Sequence, residues 1–168
     1  IKNIFGKTPF LEACELRSEK IGYLIYESET NDKDIHGNTA LHLISIFRIL
    51  GEDSPNEKQI EFIKNIINIL ISSYKLDING INKYGNTPLH LAMDIPDSSM
   101  DIDLMQRDII QTLLKNGADP CKKDNEGITP VDLSKNNKYL LYLFSAFNIG
   151  NCTTSPTRIG TVKNLKDS

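Results

Sequence analysis

The sequence predicts an all-α solenoid, a stack of helix-turn-helix units joined by β-hairpin-like loops. Three observations lead there. A short pattern recurs as Gly6-Lys7-Thr8-Pro9-Phe10, Gly37-Asn38-Thr39-Ala40-Leu41-His42, Gly85-Asn86-Thr87-Pro88-Leu89-His90 and Gly127-Ile128-Thr129-Pro130-Val131-Asp132. Apolar residues at three- and four-residue steps follow each copy, and turn residues stand between that run and the next glycine. Self-similarity at this period marks a stack of small units rather than one globule around one core. A stack offers a long concave surface and no enclosed pocket, which points to binding rather than chemistry.

Each copy starts a helix by the same local logic. The glycine takes a turn position where φ can be positive, and the threonine two residues on caps the free N–H groups of a helix. Pro9, Pro88 and Pro130 occupy the first helical position, where a missing N–H costs nothing. The expected first helices are 8–16, 39–50, 87–93 and 129–134. The second helix of copy one rests on Ile21, Leu24 and Ile25. That of copy two rests on Ile60, Ile63, Ile66, Ile67, Leu70 and Ile71, opened by Ser54-Pro55-Asn56-Glu57 as a capping box. Copy three shows Met105, Ile109, Ile110, Leu113 and Leu114, with Asp103 and Gln106 at its start. Copy four shows Tyr139, Leu140, Leu143, Phe144 and Phe147. Gly117 is the expected left-handed stop of copy three. Lys75 stands at the same place in copy two, at a cost of about 1 kcal/mol if the turn is kept.

Together these residues resemble the ankyrin repeat over about residues 2–149. Gly85 to Ala92 fits the family's G-x-T-P-L-H-x-A run, and Gly117-Ala118-Asp119 fits its helix exit. The resemblance implies units at about 3–34, 35–81, 82–123 and 124–149, followed by a polar tail or linker at 150–168. It also implies a protein-binding role. Spacing departs from the family period of about 33 residues: Gly6 to Gly37 is 31 residues, Gly37 to Gly85 is 48 and Gly85 to Gly127 is 42. The extra residues fall around 48–59 and 94–104, expected as surface loops away from the finger tips. Leu11 and Asp132 replace the motif histidine in the first and last copies. Copy four reads as a C-terminal cap, while Ile1, Ile4 and Phe5 leave an apolar edge at the other end.

Composition excludes several classes. At 24% charged and 39% hydrophobic residues the chain is not a disordered tail. The longest apolar stretch, 66–71, is far too short for a membrane span. Net charge is −3, with +2 in residues 151–168 and therefore −5 in the rest, which argues against nucleic acid as the main ligand. Ile, Asn and Lys make up about a third of the residues, a bias compatible with an A+T-rich genome. Three scattered cysteines, Cys14, Cys121 and Cys152, read as reduced thiols in an intracellular protein, cytoplasmic or nuclear.

Catalytic and metal chemistry find little support. The resemblance makes His42 and His90 structural, each bonding its neighbours through both ring nitrogens. No Cys or carboxylate stands near them at ligand spacing, and no Gly-rich phosphate loop is present. The chain is expected to be no enzyme and to need no cofactor or metal. Ser155 before Pro156 marks either a linker or a phosphorylation segment.

In the ankyrin architecture partner contacts come from finger tips and the exposed face of the first helices. Here those are Ile35, His36, Lys83, Tyr84, Asn125 and Glu126 at the tips and Asn38, Asn86 and Ile128 after the glycines. Phe47 and Asp94 extend the surface along the first helices. Tyr84 and Phe47 are the expected anchors. The expected ligand is another protein or a peptide, bound by a monomer. Two other readings are a regulatory domain of a larger enzyme, channel or transcription factor, and a pathogen effector acting on a host protein.

Overall fold

Among the described residues, threonine caps and apolar stripes build four helix pairs. The computed structural model describes residues 1–27, 30–46, 55–95, 104–150 and 152. Its helices are α1 (Pro9–Glu15), α2 (Ile21–Leu24), α3 (Ala40–Ser45), α4 (Glu57–Ser72), α5 (Pro88–Met93), α6 (Leu104–Lys115), α7 (Pro130–Leu133) and α8 (Lys138–Ala146). Among the described residues there is no strand, so the class is all-α as the sequence predicts. One layer stacks α1 on α3, α3 on α5 and α5 on α7, and a second layer stacks α4 on α6. One continuous apolar core runs through the stack, from Phe10 and Leu11 through Leu41, Ile67, Leu89 and Ile110 to Phe144.

The caps fall where the motif puts them. The hydroxyls of Thr8, Thr87 and Thr129 accept from Leu11, His90 and Asp132 N–H at 3.2, 3.4 and 3.2 Å. Each such cap is worth about 1 kcal/mol. The stops agree as well. Gly117 (φ 90°) is left-handed, and Lys75 keeps the same turn at φ 57° without glycine's freedom. In both, the following N–H returns to the last turn, Leu76 to the Leu70 carbonyl and Ala118 to that of Leu113.

Elsewhere the boundaries shift. α3 stops at Ser45 rather than running on to residue 50, because Ile46 turns extended. The reason lies far away in sequence. Arg17 donates to the carbonyls of Ile44 (3.1 Å) and Ile46 (2.8 Å) and to Gln106 Oε1 (2.6 Å). Gln106 in turn donates to Ser45 O (3.1 Å) and Ala92 O (2.9 Å). The carbonyls that end α3 and α5 are thereby satisfied, those of Ser45 and Ala92 by the buried Gln106 and those of Ile44 and Ile46 by the half-buried Arg17. Gln106 is thus a bridge across three units, not the helix opener the sequence suggests. The α4 cap is Asn56, which exchanges two bonds with Gln59 (3.0 and 2.9 Å), so Pro55 precedes the cap instead of following it. Ser54 and Asp103 lie outside the described residues, as do most of both insertions, Phe47 and Ser155.

The cysteine reading is overturned for two of the three. Cys121 and Cys152 form a disulfide with Cα atoms 5.3 Å apart, closing a ring 31 residues long around α7 and α8. Cys14 is free and buried, and burial pushes its thiol well above the ordinary range. The cysteine count therefore no longer argues for a reducing compartment.

Candidate functional site

The fingers between helix pairs are built from one device used four times. An Asn or Asp stands three residues before each motif glycine, at Asn3, Asp34, Asn82 and Asp124. In every finger its Oδ1 accepts from the N–H groups two and four residues on, at 2.9 to 3.0 Å. Its own N–H donates to the carbonyl after the glycine, and the glycine N–H donates back to it. The turn thus meets its polar demands internally and stays rigid at the surface. The sequence reading missed this device, although the position repeats in all four copies.

Neighbouring fingers are bonded main chain to main chain. Ile35 N–H donates to Phe5 O (3.1 Å), Lys83 to His36 O (2.9 Å) and Asn125 to Tyr84 O (3.1 Å). The approach is tight at Gly85 (φ 79°), where a Cβ would come within 2.6 Å of Asn125 N. Glycine is needed there for both conformation and room.

The motif histidines join the same frame. His42 Nδ1 accepts from Thr39 N–H (3.3 Å), so its Nε2 carries the proton and donates to Asn86 O in the next unit (3.0 Å). His90 repeats this with Thr87 N–H (3.1 Å) and Ile128 O (3.1 Å). Burial lowers both pKa values, that of His42 to about 4. These are neutral joints between units, and they leave no ring nitrogen for a metal or a substrate.

The residues expected to meet a partner sort into three groups. Ile35, His36, Lys83, Tyr84, Asn125 and Glu126 are exposed at the tips, and Asp94 is exposed at the end of α5. His36 Nδ1 lies 2.9 Å from the Tyr84 hydroxyl, with ring centroids 5.9 Å apart, so two fingers share one aromatic pair. Asn86 and Ile128 are half-buried, and their carbonyls are the acceptors for the two histidines. Asn38 is buried. Its amide donates to Asp34 Oδ2 (3.0 Å) and its oxygen accepts from Asn82 (2.9 Å), so it fastens fingers together and is withdrawn from the contact set. The first helices also expose less than expected: all six residues of α3 are buried. Lys33, Ile81 and Lys123, one residue before each turn Asx, are exposed and were missed.

Among the described residues no group of three or more His, Cys, Asp or Glu is placed to hold a metal, and no helix is long and apolar enough to cross a membrane. Fold and site together define a repeat solenoid that presents a stiff, ribbed surface. A profile of the ankyrin repeat matches residues 84–125. The chain is 33% identical over 108 residues to putative ankyrin repeat protein L271 of Acanthamoeba polyphaga mimivirus, covering 63% of this chain and 13% of that protein. It is 34% identical over 97 residues to putative ankyrin repeat protein FPV228 of fowlpox virus, covering 55% and 18%. To alpha-latrocrustotoxin-Lt1a of Latrodectus tredecimguttatus it is 28% identical over 129 residues, covering 76% and 8%. Residues 84–125 thus match an ankyrin repeat, a kind of repeat that generally serves as a protein–protein interaction module, and the chain is similar over part of its length to ankyrin repeat proteins. It spans less than a fifth of the length of each of these relatives.

Proposed function

We propose that the chain binds a partner protein or an extended peptide along its finger edge, with no chemistry of its own. The units run at about 3–34, 35–81, 82–123 and 124–149, followed by a polar tail or linker at 150–168. Tyr84 is the anchor, with His36, Ile35, Lys83, Asn125 and Glu126 around it and Asp94, Asn86 and Ile128 at the margin. The observation that carries this reading is the pairing of exposed side chains with a backbone that is fully bonded within itself. Tyr84 is 54% exposed on a turn whose N–H groups are already held by Asn82. A rigid aromatic residue on a fixed frame loses little entropy on binding, the usual character of an interface hot spot.

The test is quantitative affinity purification with the wild-type chain and a Tyr84→Ala/His36→Ala variant. The expected result is a partner whose recovery falls at least about tenfold with the variant. Equal recovery of every captured protein refutes the finger assignment. A second reading, a binding module within a longer protein, is favoured by the small share of each relative that the chain spans. The full open reading frame tests it.

A further inference from the structure

We infer that Cys121 and Cys152 form a thiol-operated latch: small-molecule thiols that reduce the bond let α7 and α8 open while α1 to α6 stay folded. This goes beyond the binding role and does not depend on it. Two placements make the pair a latch. The first is access. Cys121 is exposed and Cys152 half-buried, whereas Cys14 is fully buried and its thiol is pushed well above the ordinary range. Thiol exchange needs a thiolate and a sulfur that it can reach, so this chemistry is confined to the one pair.

The second placement is mechanical. Cys121 N–H donates to Asp119 Oδ1 (2.8 Å), and Asp119 N–H donates to Asn79 Oδ1 (2.7 Å). The Lys122 ammonium donates to Asn79 O (2.6 Å), and the Asn79 amide donates to Gly117 O (3.2 Å). Cys121 is therefore anchored to the exit loop of the second unit, whatever the state of its sulfur. Cys152 lies beyond the left-handed turn at Asn148 (φ 54°) that follows α8, and its sulfur meets the anchored loop 3.6 Å from the Pro120 carbonyl. Reduction thus leaves one sulfur in place and lets the other move with α8, and re-oxidation finds a fixed target.

The helices inside the ring are thinly packed. α7 has four residues, of which Pro130 is buried. α8 buries Leu140, Leu143 and Phe144 and exposes Leu141 (45%) and Tyr142 (72%). All six residues of α3 are buried by contrast. Segments with few buried contacts open first. Closing a ring 31 residues long shifts the opening equilibrium of the enclosed chain by about 500-fold. The exchange itself balances. A thiolate attacks Cys121 Sγ, the S–S bond breaks, and Cys152 leaves as a thiolate that takes up a proton. A second thiol cleaves the mixed disulfide, returning Cys121 as a thiol and releasing the oxidised dimer of the reductant. Two electrons pass from the two thiols to the protein pair.

The experiment follows amide hydrogen exchange by mass spectrometry on the whole chain, first oxidised and then reduced with millimolar glutathione. The expected result is exchange up to about 500-fold faster in peptides from α7 and α8, with those from α3 to α6 unchanged. Oxidised glutathione restores the slow exchange. Equal acceleration in every unit, or none anywhere, overturns the latch. Iodoacetamide on the folded, reduced chain is expected to modify Cys121 and Cys152 and spare Cys14; modification of Cys14 at the same rate overturns the local character of the opening. Cys121→Ser should exchange like the reduced wild type and ignore glutathione, and a variant that still responds overturns the assignment to this pair. A wild-type chain that keeps both thiols reactive under oxidised glutathione overturns it as well. None of these readouts involves a partner, so failure here leaves the finger reading to its own test.

Discussion

The second and third units close on their neighbours through an imidazole, whereas the fourth closes on itself through a carboxylate. His42 and His90 each hold their own threonine with one nitrogen and donate onward with the other. Asp132 stands at the same position and takes Thr129 N–H (2.9 Å) and its hydroxyl (2.7 Å). A carboxylate can only accept, so the chain of joints stops there. Its other oxygen pairs with Lys135 at 2.8 Å, and that ammonium, with Thr129, holds its pKa down to about 2. One residue type therefore separates a joint that bonds onward from one that does not. The first unit uses a third solution: Leu11 is buried and Arg17 makes the polar link. Where the onward imidazole bond ends, a covalent one appears, for Cys121–Cys152 ties the last pair to the stack.

Breaking each kind of joint ranks them. Removing the covalent one has the largest expected effect: Cys152→Ser should lower stability by about 4 kcal/mol, the entropy of a ring this size. Urea titration followed by circular dichroism reads it. A reductant should reproduce the loss in the wild type and change nothing in the variant. If wild-type stability is the same in both conditions, the disulfide does not hold α7 and α8.

The interior joints should show as a pH dependence. His42 titrates at about 4 when folded and about 6.5 when unfolded. Between those values the unfolded chain binds the extra proton, so stability falls as pH drops through that window, by up to about 3 kcal/mol. His90, lowered in the same direction, adds to the slope. His42→Gln should flatten the curve of denaturation midpoint against pH from 6.5 to 4, and an unchanged slope assigns it elsewhere.

Next comes the buried bridge. Gln106→Leu leaves the Ser45 and Ala92 carbonyls without their amide donor, at a cost of about 2 kcal/mol in the same titration. A cost no larger than that of an exposed substitution would mean other donors replace it. The smallest expected effect is a gain. Lys75→Gly relieves a left-handed φ of 57° and should stabilise the chain by about 1 kcal/mol, read as a higher midpoint.

Local chemistry made much of this readable in advance. The threonine caps, the proline starts and the left-handed turn at Lys75 depend on residues within five positions of one another. What escaped was set from a distance. α3 ends at Ser45 because Arg17 and Gln106, 29 and 61 residues away from the carbonyls they hold, take its last turn. By propensity alone Ile46 would continue the helix. Asn38 looked like a surface residue by its place after a glycine, but its amide oxygen meets Asn82 on the next finger. The disulfide joins two cysteines with no motif around either, and only the fold brings them within reach. Of the surface, the six tip residues were legible because turns project. Lys33, Ile81 and Lys123 were not, since nothing but exposure distinguishes them.

The ring closed by Cys121 and Cys152 also decides what a protease can release. A single cut anywhere between Lys122 and Gly150 leaves the two pieces joined, so the nicked chain migrates as one band until it is reduced and as two afterwards. In the first helix pair Cys14 is free, so among the described residues no such closure holds α1 and α2.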